Sequence, residues 1–153
     1  ICRAEKIHLA IDTAGAFADP ENPTAALEVA SRADMLLLDI KHPDTEVCRR
    51  LTGRGNEGAL ALLERAQRVG QRVWIRHVVT PGWSNDEQSI SMLRKLLEPY
   101  KCIEKVELIA FHRLGCEKYS ELGLEYPMGD AADLAPAELA RWRSFYESLG
   151  KGS

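Results

Sequence analysis

Short apolar runs alternate with stretches of helical periodicity along this chain. Four runs are rich in Ile, Val and Leu: Ile7 to Ile11, Met35 to Leu38, Val73 to Val79 and Val106 to Phe111. Segments in which apolar residues recur at helical spacing separate these runs. Because strands that alternate with helices form parallel sheets, the pattern predicts an α/β fold of parallel βα units with about four strands.

The segments between the runs predict helices with defined ends. Apolar residues at helical spacing predict a helix over Asn56 to Val69, which Gly70 terminates. Shorter helices are predicted over Thr24 to Ser31 and over Asp44 to Leu51. A further helix is predicted after the third run, over Asp86 to Glu98.

The last predicted helix begins at Pro136, a residue type favoured in the first helical turn. Its apolar face is expected to consist of Leu139, Trp142, Phe145 and Leu149. Because βαβ crossovers are right-handed, the helices should cover one or both faces of a twisted sheet. The whole pattern fits a small open sheet or part of a larger barrel.

Length, charge and hydropathy narrow the function classes. A chain of 153 residues with 45% hydrophobic content suits a single domain spanning residues 1–153. The balance of 20 Lys and Arg against 23 Asp and Glu disfavours nucleic acid as a partner. The longest aliphatic run, Met35 to Leu38, is far shorter than the ~20 residues that span a bilayer. We therefore expect a soluble, cytoplasmic protein with no membrane partner.

The cysteines are widely spaced and include no C-x-x-C pair; they are Cys2, Cys48, Cys102 and Cys116. Iron–sulfur and zinc sites usually need closely spaced cysteines, so these residues are interpreted as reduced thiols. The first residues show neither an initiator Met nor the apolar stretch of a signal peptide. We expect a piece of a longer protein.

Polar residues of both charges follow the predicted strands. Ligands bind at the carboxyl ends of parallel strands, and the residues expected there are Asp12, Thr13, Asp39, Lys41, Arg76 and His112. Together they suit a zwitterionic ligand, because carboxylates bind an amine or ribose hydroxyls and cationic side chains bind a carboxylate. The oxygens of Asp12, Thr13 and Asp39 could also ligate a small cation.

Each of these residues also has an ordinary structural interpretation. Asp12 could cap a turn, and Asp39 with Lys41 could form a solvated ion pair of little energetic value. Arg76 could face solvent, and His112 could be a structural residue at the end of a strand. Their convergence on one rim is what favours a ligand site.

Four stretches resemble, in order and spacing, the second half of the pyruvate formate-lyase activating enzyme family. They are Ile7–Gly15 (I-H-L-A-I-D-T-A-G), Met35–Lys41 (M-L-L-L-D-I-K), Val73–Ser84 (V-W-I-R-H-V-V-T-P-G-W-S) and Val106–Gly115 (V-E-L-I-A-F-H-R-L-G). The resemblance extends to about Tyr126, and activases of other glycyl-radical enzymes share parts of it.

This resemblance implies the C-terminal part of a partial (β/α) TIM-like barrel in a radical S-adenosylmethionine enzyme. In that family a [4Fe–4S] cluster cleaves S-adenosylmethionine reductively. The resulting 5′-deoxyadenosyl radical then abstracts a hydrogen atom from a glycine of pyruvate formate-lyase. The implied partners are this glycyl-radical enzyme, or a related one, and a flavodoxin-type reductant in anaerobic metabolism.

The same resemblance implies roles for individual residues. By match to the family motifs, Asp12, Asp39 and Lys41 surround S-adenosylmethionine, and His112 lies beside the same ligand. Arg76 is assigned to contact with the ligand or the substrate. A monovalent cation near the methionine carboxylate is also implied, with its ligands at the matching positions Asp12, Thr13, Asp39 and the backbone of Leu37.

Parts of the family pattern are missing. The C-x-x-x-C-x-x-C loop that holds the cluster and a Gly-Gly-Glu strand have no counterpart in this sequence. Ala14 stands where Asn is common, and Phe111 replaces the usual Tyr before the histidine. We therefore expect a C-terminal portion that lacks the cluster-binding half, binds no iron and is inactive alone. It should self-associate through the unpaired edge of its first strand.

Two other function classes stay open at this point. A receiver-like signalling or binding module would need an acidic pair at the end of the first strand, where only Asp12 is found. A sugar-phosphate enzyme of half-barrel type would need a Gly-rich phosphate loop that opens a helix, and the sequence contains none. Titration with S-adenosylmethionine, with a phosphoryl mimic and Mg²⁺, or with a sugar phosphate separates the three.

Overall fold

The computed structural model describes residues 5–16 and 24–150. Its strands are β1 (Ala10–Thr13), β2 (Met35–Asp39), β3 (Arg72–Val79) and β4 (Ile103–Ala110). They form one parallel sheet in the order β1-β2-β3-β4. The predicted α/β class with about four parallel strands is therefore confirmed.

The helices of the described ranges follow the predicted order, with one addition. They are α1 (Thr24–Ser31), α2 (Thr45–Thr52), α3 (Glu57–Val69), α4 (Glu87–Leu97), α5 (Cys116–Glu121) and α6 (Pro136–Ser148). Helix α5 is the one that the sequence pattern did not predict. It has six residues and buries none of them, so it lacks the apolar stripe by which a helix is recognised in sequence.

Capping residues set the boundaries of the helices. Asp44 Oδ1 accepts a hydrogen bond from the Val47 N–H at 2.9 Å, and Asp86 Oδ1 accepts one from the Ser89 N–H at 2.8 Å. Each aspartate is therefore an N-cap, and α2 and α4 start one residue later than predicted. Gly53, with a φ of 79°, ends α2 in the left-handed region that favours glycine.

Two strands differ from their predicted bounds by more than one residue. β1 starts later, at Ala10, because the Leu9 N–H donates to the Asp34 carboxylate at 2.8 Å rather than to a neighbouring strand. β4 starts earlier, at Ile103. Its beginning contains the polar Glu104, which bonds to side chains of β3, so the apolar run marks only the second half of the strand.

Helices α1, α3, α4 and α6 contribute to a core against one face of the sheet, called here the core face. Its fully buried apolar residues alternate along β2 and β3; they are Leu36, Leu38, Val73, Ile75 and Val79. They form one hydrophobic cluster with Leu63 of α3 and with Ile90 and Leu93 of α4. Burial of this face is the main source of stability for the fold.

Helix α6 closes the core beside β4. Its buried residues are Leu139, Trp142 and Tyr146. Of the predicted apolar face, Phe145 and Leu149 are only half-buried, although both pack against the core. Within the described ranges, no helix combines the length and the apolar character that a membrane span requires.

The two edges of the sheet are β1 and β4. An edge strand exposes unpaired backbone groups that can pair with another chain. Self-association through β1 stays a prediction.

Candidate functional site

The residues opposite the core face alternate with it along the same strands. This open face carries the half-buried Leu37 and Asp39 of β2 and the half-buried Trp74 and Arg76 of β3. The strand register places Asp39 opposite Arg76, and it places Asp12 of β1 opposite Leu37. Charged residues from three strands therefore meet at the carboxyl end of the open face.

Ion pairs connect four of the predicted residues into one network. The Arg76 guanidinium donates from Nε to Asp39 Oδ1 at 2.8 Å, and its second arm donates to Asp12 Oδ1. The Lys41 ammonium donates to the other oxygen of Asp39, Oδ2, at 2.6 Å. Asp12, Asp39, Lys41 and Arg76 are called the strand-end charge cluster below.

Exposure within this cluster is graded. The Asp39 side chain is 16% exposed and that of Arg76 25%, whereas Lys41 is 37% and Asp12 56% exposed. Burial alone would lower the pKa of the Arg76 guanidinium, but the carboxylates of Asp39 and Asp12 outweigh burial and raise it above its ordinary value. The Asp39 carboxylate is thus sheltered between two cations, which is not the solvated pair considered as the ordinary interpretation.

The turn after β1 explains why Asp12 is available to Arg76. Thr13 Oγ1, and not the Asp12 carboxylate, accepts the N–H of Gly15 at 3.0 Å. Gly15 has a φ of 71°, and a Cβ at this position would lie 2.4 Å from the backbone N of Ala59 at the start of α3. Only glycine fits this contact, so the turn is held against α3 while Asp12 faces the cluster.

The predicted cation ligands are brought together in part. Asp12 and Asp39 share Arg76 as a partner, and Leu37 pairs with Asp12 across the strands. Thr13 uses its hydroxyl oxygen as an acceptor in the turn. Among residues 5–16 and 24–150, no group of three or more His, Cys, Asp or Glu side chains is arranged to hold a metal ion.

His112 lies in the loop after β4, and its ion-pair partner was not predicted. Its Nδ1 lies 3.8 Å from Asp133 Oδ2, and both side chains are exposed. Asp133 Oδ1 also accepts the backbone N–H of Arg113 at 2.7 Å. Asp133 therefore holds the segment that carries His112, whereas the strand-end charge cluster lies on β1, β2 and β3 and, for Lys41, just after β2.

Sequence reasoning overlooked three further polar residues near this site. Glu107 of β4 pairs in register with Arg76 and accepts a hydrogen bond from Lys105 at 3.1 Å; the period-two alternation of charge in β4 was the available signal. His77 is a polar residue within an apolar run, which also marks it in the sequence. Asp133, distant along the chain from His112, had no such signal.

The described cysteines lie in separate parts of the fold. Cys48 is buried in α2, Cys102 precedes β4, and Cys116 opens α5; Cys2 lies outside the described residues. Burial raises the pKa of the Cys48 and Cys102 thiols, which disfavours the thiolate form that binds metals. These three residues do not fit an iron–sulfur cluster.

Comparison with known proteins shows what the chain is similar to. No protein-family model matches the chain. A pyruvate formate-lyase-activating enzyme of Clostridium pasteurianum is 37% identical over 131 residues, which are 85% of this chain and 52% of that protein. The enzyme of the same name from Staphylococcus aureus (strain USA300) is 35% identical over 129 residues, 81% of this chain and 50% of that protein.

Solved structures share the fold at lower identity. A domain of a pyruvate-formate lyase-activating enzyme from Bacteroides vulgatus superposes with a TM-score of 0.73 at 19% identity, covering 97% of this chain and 81% of that one. A radical SAM methyltransferase from Sphaerobacter thermophilus gives a TM-score of 0.63 at 14% identity, covering 95% and 40%. The predicted fold, parallel βα units of a partial TIM-like barrel, is confirmed by this likeness.

The sequence relatives match most of this chain, but the chain spans only about half of their length. Identity of 35% and 37% over 81% and 85% of this chain confirms the resemblance to pyruvate formate-lyase-activating enzymes that the strand-end motifs indicated.

Proposed function

We propose that this chain is part of a radical S-adenosylmethionine activase that generates a glycyl radical on pyruvate formate-lyase. Within it, the strand-end charge cluster binds S-adenosylmethionine. The observation that carries this proposal is the continuous ion-pair network from Asp12 through Arg76 and Asp39 to Lys41. All four residues stand in the motifs that resemble the activases.

The chemistry of the strand-end charge cluster fits the methionine end of S-adenosylmethionine. The ligand carries an ammonium and a carboxylate, and the cluster offers partners of both signs on a partly sheltered surface. Asp12 and Asp39 are suited to the ammonium or to ribose hydroxyls, and Lys41 and Arg76 to the carboxylate. Binding then exchanges internal ion pairs for ion pairs with the ligand, so that no buried charge is left alone.

Other residues extend this proposal. His112, oriented by Asp133, is proposed to lie beside the same ligand. A monovalent cation is proposed near the methionine carboxylate, with Asp12, Thr13, Asp39 and the Leu37 backbone as ligands. Arg76 bridges the two carboxylates and would have to release them for the cation to bind.

The iron–sulfur cluster is assigned to another part of the longer protein. When bound, the [4Fe–4S] cluster supplies the electron that cleaves S-adenosylmethionine. The described cysteines of this chain do not fit this cluster. Residues 1–153 are therefore proposed to form the C-terminal portion of the partial TIM-like barrel of a radical S-adenosylmethionine enzyme. This portion is expected to be inactive alone.

The names of the sequence relatives support the proposed partner, pyruvate formate-lyase. An activase of another glycyl-radical enzyme would have the same cofactor requirement. We further propose that a flavodoxin-type protein reduces the longer protein. We also propose that the longer protein is cytoplasmic and acts in anaerobic metabolism.

Nuclear magnetic resonance titration of the chain with S-adenosylmethionine tests the proposal. We expect saturable shifts of the backbone signals of Asp39, Lys41 and Arg76. Asp39→Ala and Lys41→Ala should weaken binding by about 2–5 kcal/mol, because each leaves a charged part of the ligand unpaired. Glu46→Ala is the matched control, since it removes a carboxylate that is ion-paired only on the exposed surface of α2.

Three outcomes contradict the proposal: no saturable shifts with the wild-type chain, shifts confined to another region, or wild-type affinity in both cluster variants. A saturable response to a phosphoryl mimic with Mg²⁺ would favour the receiver-like module instead. A response to a sugar phosphate would favour the half-barrel enzyme.

A further inference from the structure

His77 is a histidine in the hydrophobic core of the sheet. It lies in β3, where its ring points to the core face in the same alternation as Ile75 and Val79, and all three are completely buried. A polar ring in such surroundings loses its contacts with water, so it is retained only where a specific hydrogen bond compensates.

The compensating bond goes to the backbone between two residues of the strand-end charge cluster. His77 Nδ1 lies 2.7 Å from the carbonyl oxygen of Ile40. The N–H of Ile40 donates to the carbonyl oxygen of Arg76 at 3.0 Å. Both backbone groups of Ile40 are thus bonded to consecutive residues of β3, and Ile40 separates Asp39 from Lys41.

The position of this bond in the sheet gives it its importance. The ladder between β2 and β3 ends at the pair of Asp39 and Arg76, so the strand pairing provides no partner for the Ile40 carbonyl. The imidazole of His77 extends the pairing by one bond, just where the chain leaves the sheet. Lys41, the next residue, therefore starts its side chain from a fixed backbone.

The second ring nitrogen indicates which atom carries the proton. His77 Nε2 is buried and has no hydrogen-bond partner among the described residues. A proton on Nε2 would be a buried unsatisfied donor and would leave two acceptors facing each other at Nδ1. The neutral ring therefore carries its hydrogen on Nδ1 and donates to Ile40. The unsatisfied Nε2 costs stability that an apolar residue would not lose, so the bond to Ile40 is what the histidine contributes.

We propose that His77 is a positioning residue: by holding the Ile40 carbonyl, it fixes the places of the Asp39 carboxylate and the Lys41 ammonium on either side. The effect on the geometry of the cluster stands on the contacts above. Only the consequence for S-adenosylmethionine binding rests on the proposed function.

Two substitutions of nearly equal shape separate the hydrogen bond from packing. Leu and Asn branch at the same atom, but only the amide nitrogen of Asn lies near the position of Nδ1 and can donate to Ile40. His77→Leu removes the bond, and His77→Asn keeps it. His77→Gln is a further polar variant that places its amide nearer to the position of Nε2, so it should behave like His77→Leu.

The first readout is the reactivity of the Lys41 amine toward acetic anhydride, followed by mass spectrometry of the folded chain. We expect acetylation of Lys41 to rise at least about threefold in His77→Leu and His77→Gln, since its ion pair with Asp39 is loosened. It should stay at the wild-type level in His77→Asn. Lys105, which pairs with Glu107 on β4, is the internal control and should not respond.

The second readout is affinity for S-adenosylmethionine, which should fall about tenfold in His77→Leu and His77→Gln and be restored in His77→Asn.

Unchanged Lys41 reactivity in the folded His77→Leu chain would overturn the proposal. So would an equal rise in His77→Leu and His77→Asn, because packing alone would then explain it. If His77→Leu does not fold, the contrast between His77→Gln and His77→Asn decides in the same way. If the wild-type chain binds no S-adenosylmethionine but Lys41 responds as expected, the proposed function fails and the positioning role stands.

Discussion

The two faces of the sheet are built from alternate residues of the same strands, yet they have different roles. On the core face, Leu38 and Ile75 are fully buried and pack against the helices. On the open face, their neighbours Asp39 and Arg76 form ion pairs and stay partly accessible. One position along a strand therefore separates a residue that holds the fold together from a residue available to a ligand.

His77 is the exception that connects the faces. It occupies the core face, but its hydrogen bond goes to Ile40, between two residues of the strand-end charge cluster. Core packing and site geometry meet at this residue. The core face therefore supplies rigidity to the open face in front of it.

The strongest test of the difference between the faces uses two adjacent residues of β3. Ile75→Ala should lower the free energy of unfolding by about 4 kcal/mol, because it leaves a cavity in the core. Arg76→Ala should lower it by less, about 1–2 kcal/mol, since the ion pairs are only partly buried and Lys41 still pairs with the Asp39 carboxylate. Urea unfolding followed by circular dichroism measures both. Equal losses would mean that the open face is as important to folding as the core face.

The turn after β1 lies between the strand-end charge cluster and the helices. It follows Asp12 directly and contacts α3 through Gly15. Gly15→Ala should lower the free energy of unfolding by about 3 kcal/mol, because the added Cβ meets the backbone of Ala59 and the residue has a positive φ. Thermal unfolding measures the loss. A matched Gly82→Ala variant has a positive φ of 74° but open space around its Cβ, so it should lose less.

A pH titration sharpens the contrast between His77 and the residues of the open face. Burial lowers the pKa of His77 to about 4, against the smaller upward effect of its bond to Ile40. The unfolded chain has a pKa near 6.5 at this residue, so between these values it binds more protons than the folded chain. Stability is therefore full above about pH 6.5 and should fall by about 3 kcal/mol as the pH drops to about 4.

Urea unfolding of the wild-type chain and of His77→Asn over pH 4 to 7 isolates this contribution. The difference between the two chains should shrink or reverse toward low pH, because only the wild type has a buried base at position 77. A pH-independent difference would show that His77 does not titrate in this range.

The smallest effect is expected at a carboxylate outside both faces. Asp44→Ala removes the N-cap of α2 and should lower the free energy of unfolding by about 1 kcal/mol. Its affinity for S-adenosylmethionine should be that of the wild type, in contrast to Asp39→Ala. A loss of affinity in Asp44→Ala would extend the ligand site beyond the strand-end charge cluster.

Much of the architecture was predictable because it depends on local patterns. The helix over Glu57–Val69 follows from apolar spacing and from Gly70, and the caps Asp44 and Asp86 were recognisable as helix starts. The strand bounds were less predictable. β1 begins late because the Asp34 side chain takes the N–H of Leu9, a contact between residues far apart in sequence.

The membership of the candidate site was predictable only in outline. Strand-end position and mixed charge were enough to select Asp12, Asp39, Lys41 and Arg76 from the sequence. The partners within the cluster could not be derived in the same way, since Arg76 is 64 residues from Asp12 and 37 from Asp39. The ladder register decides which of them lie within reach.

Local chemistry therefore determines the order of strands and helices, the alternation of apolar and polar residues and the kinds of charge at the strand ends. Tertiary structure alone decides that one guanidinium bridges two carboxylates, that Asp133 supports His112, and that a core histidine bonds to the backbone of Ile40. The physical reason is range. Periodicity and capping act over a few residues, whereas these contacts depend on which strands lie side by side and on where their pairing ends.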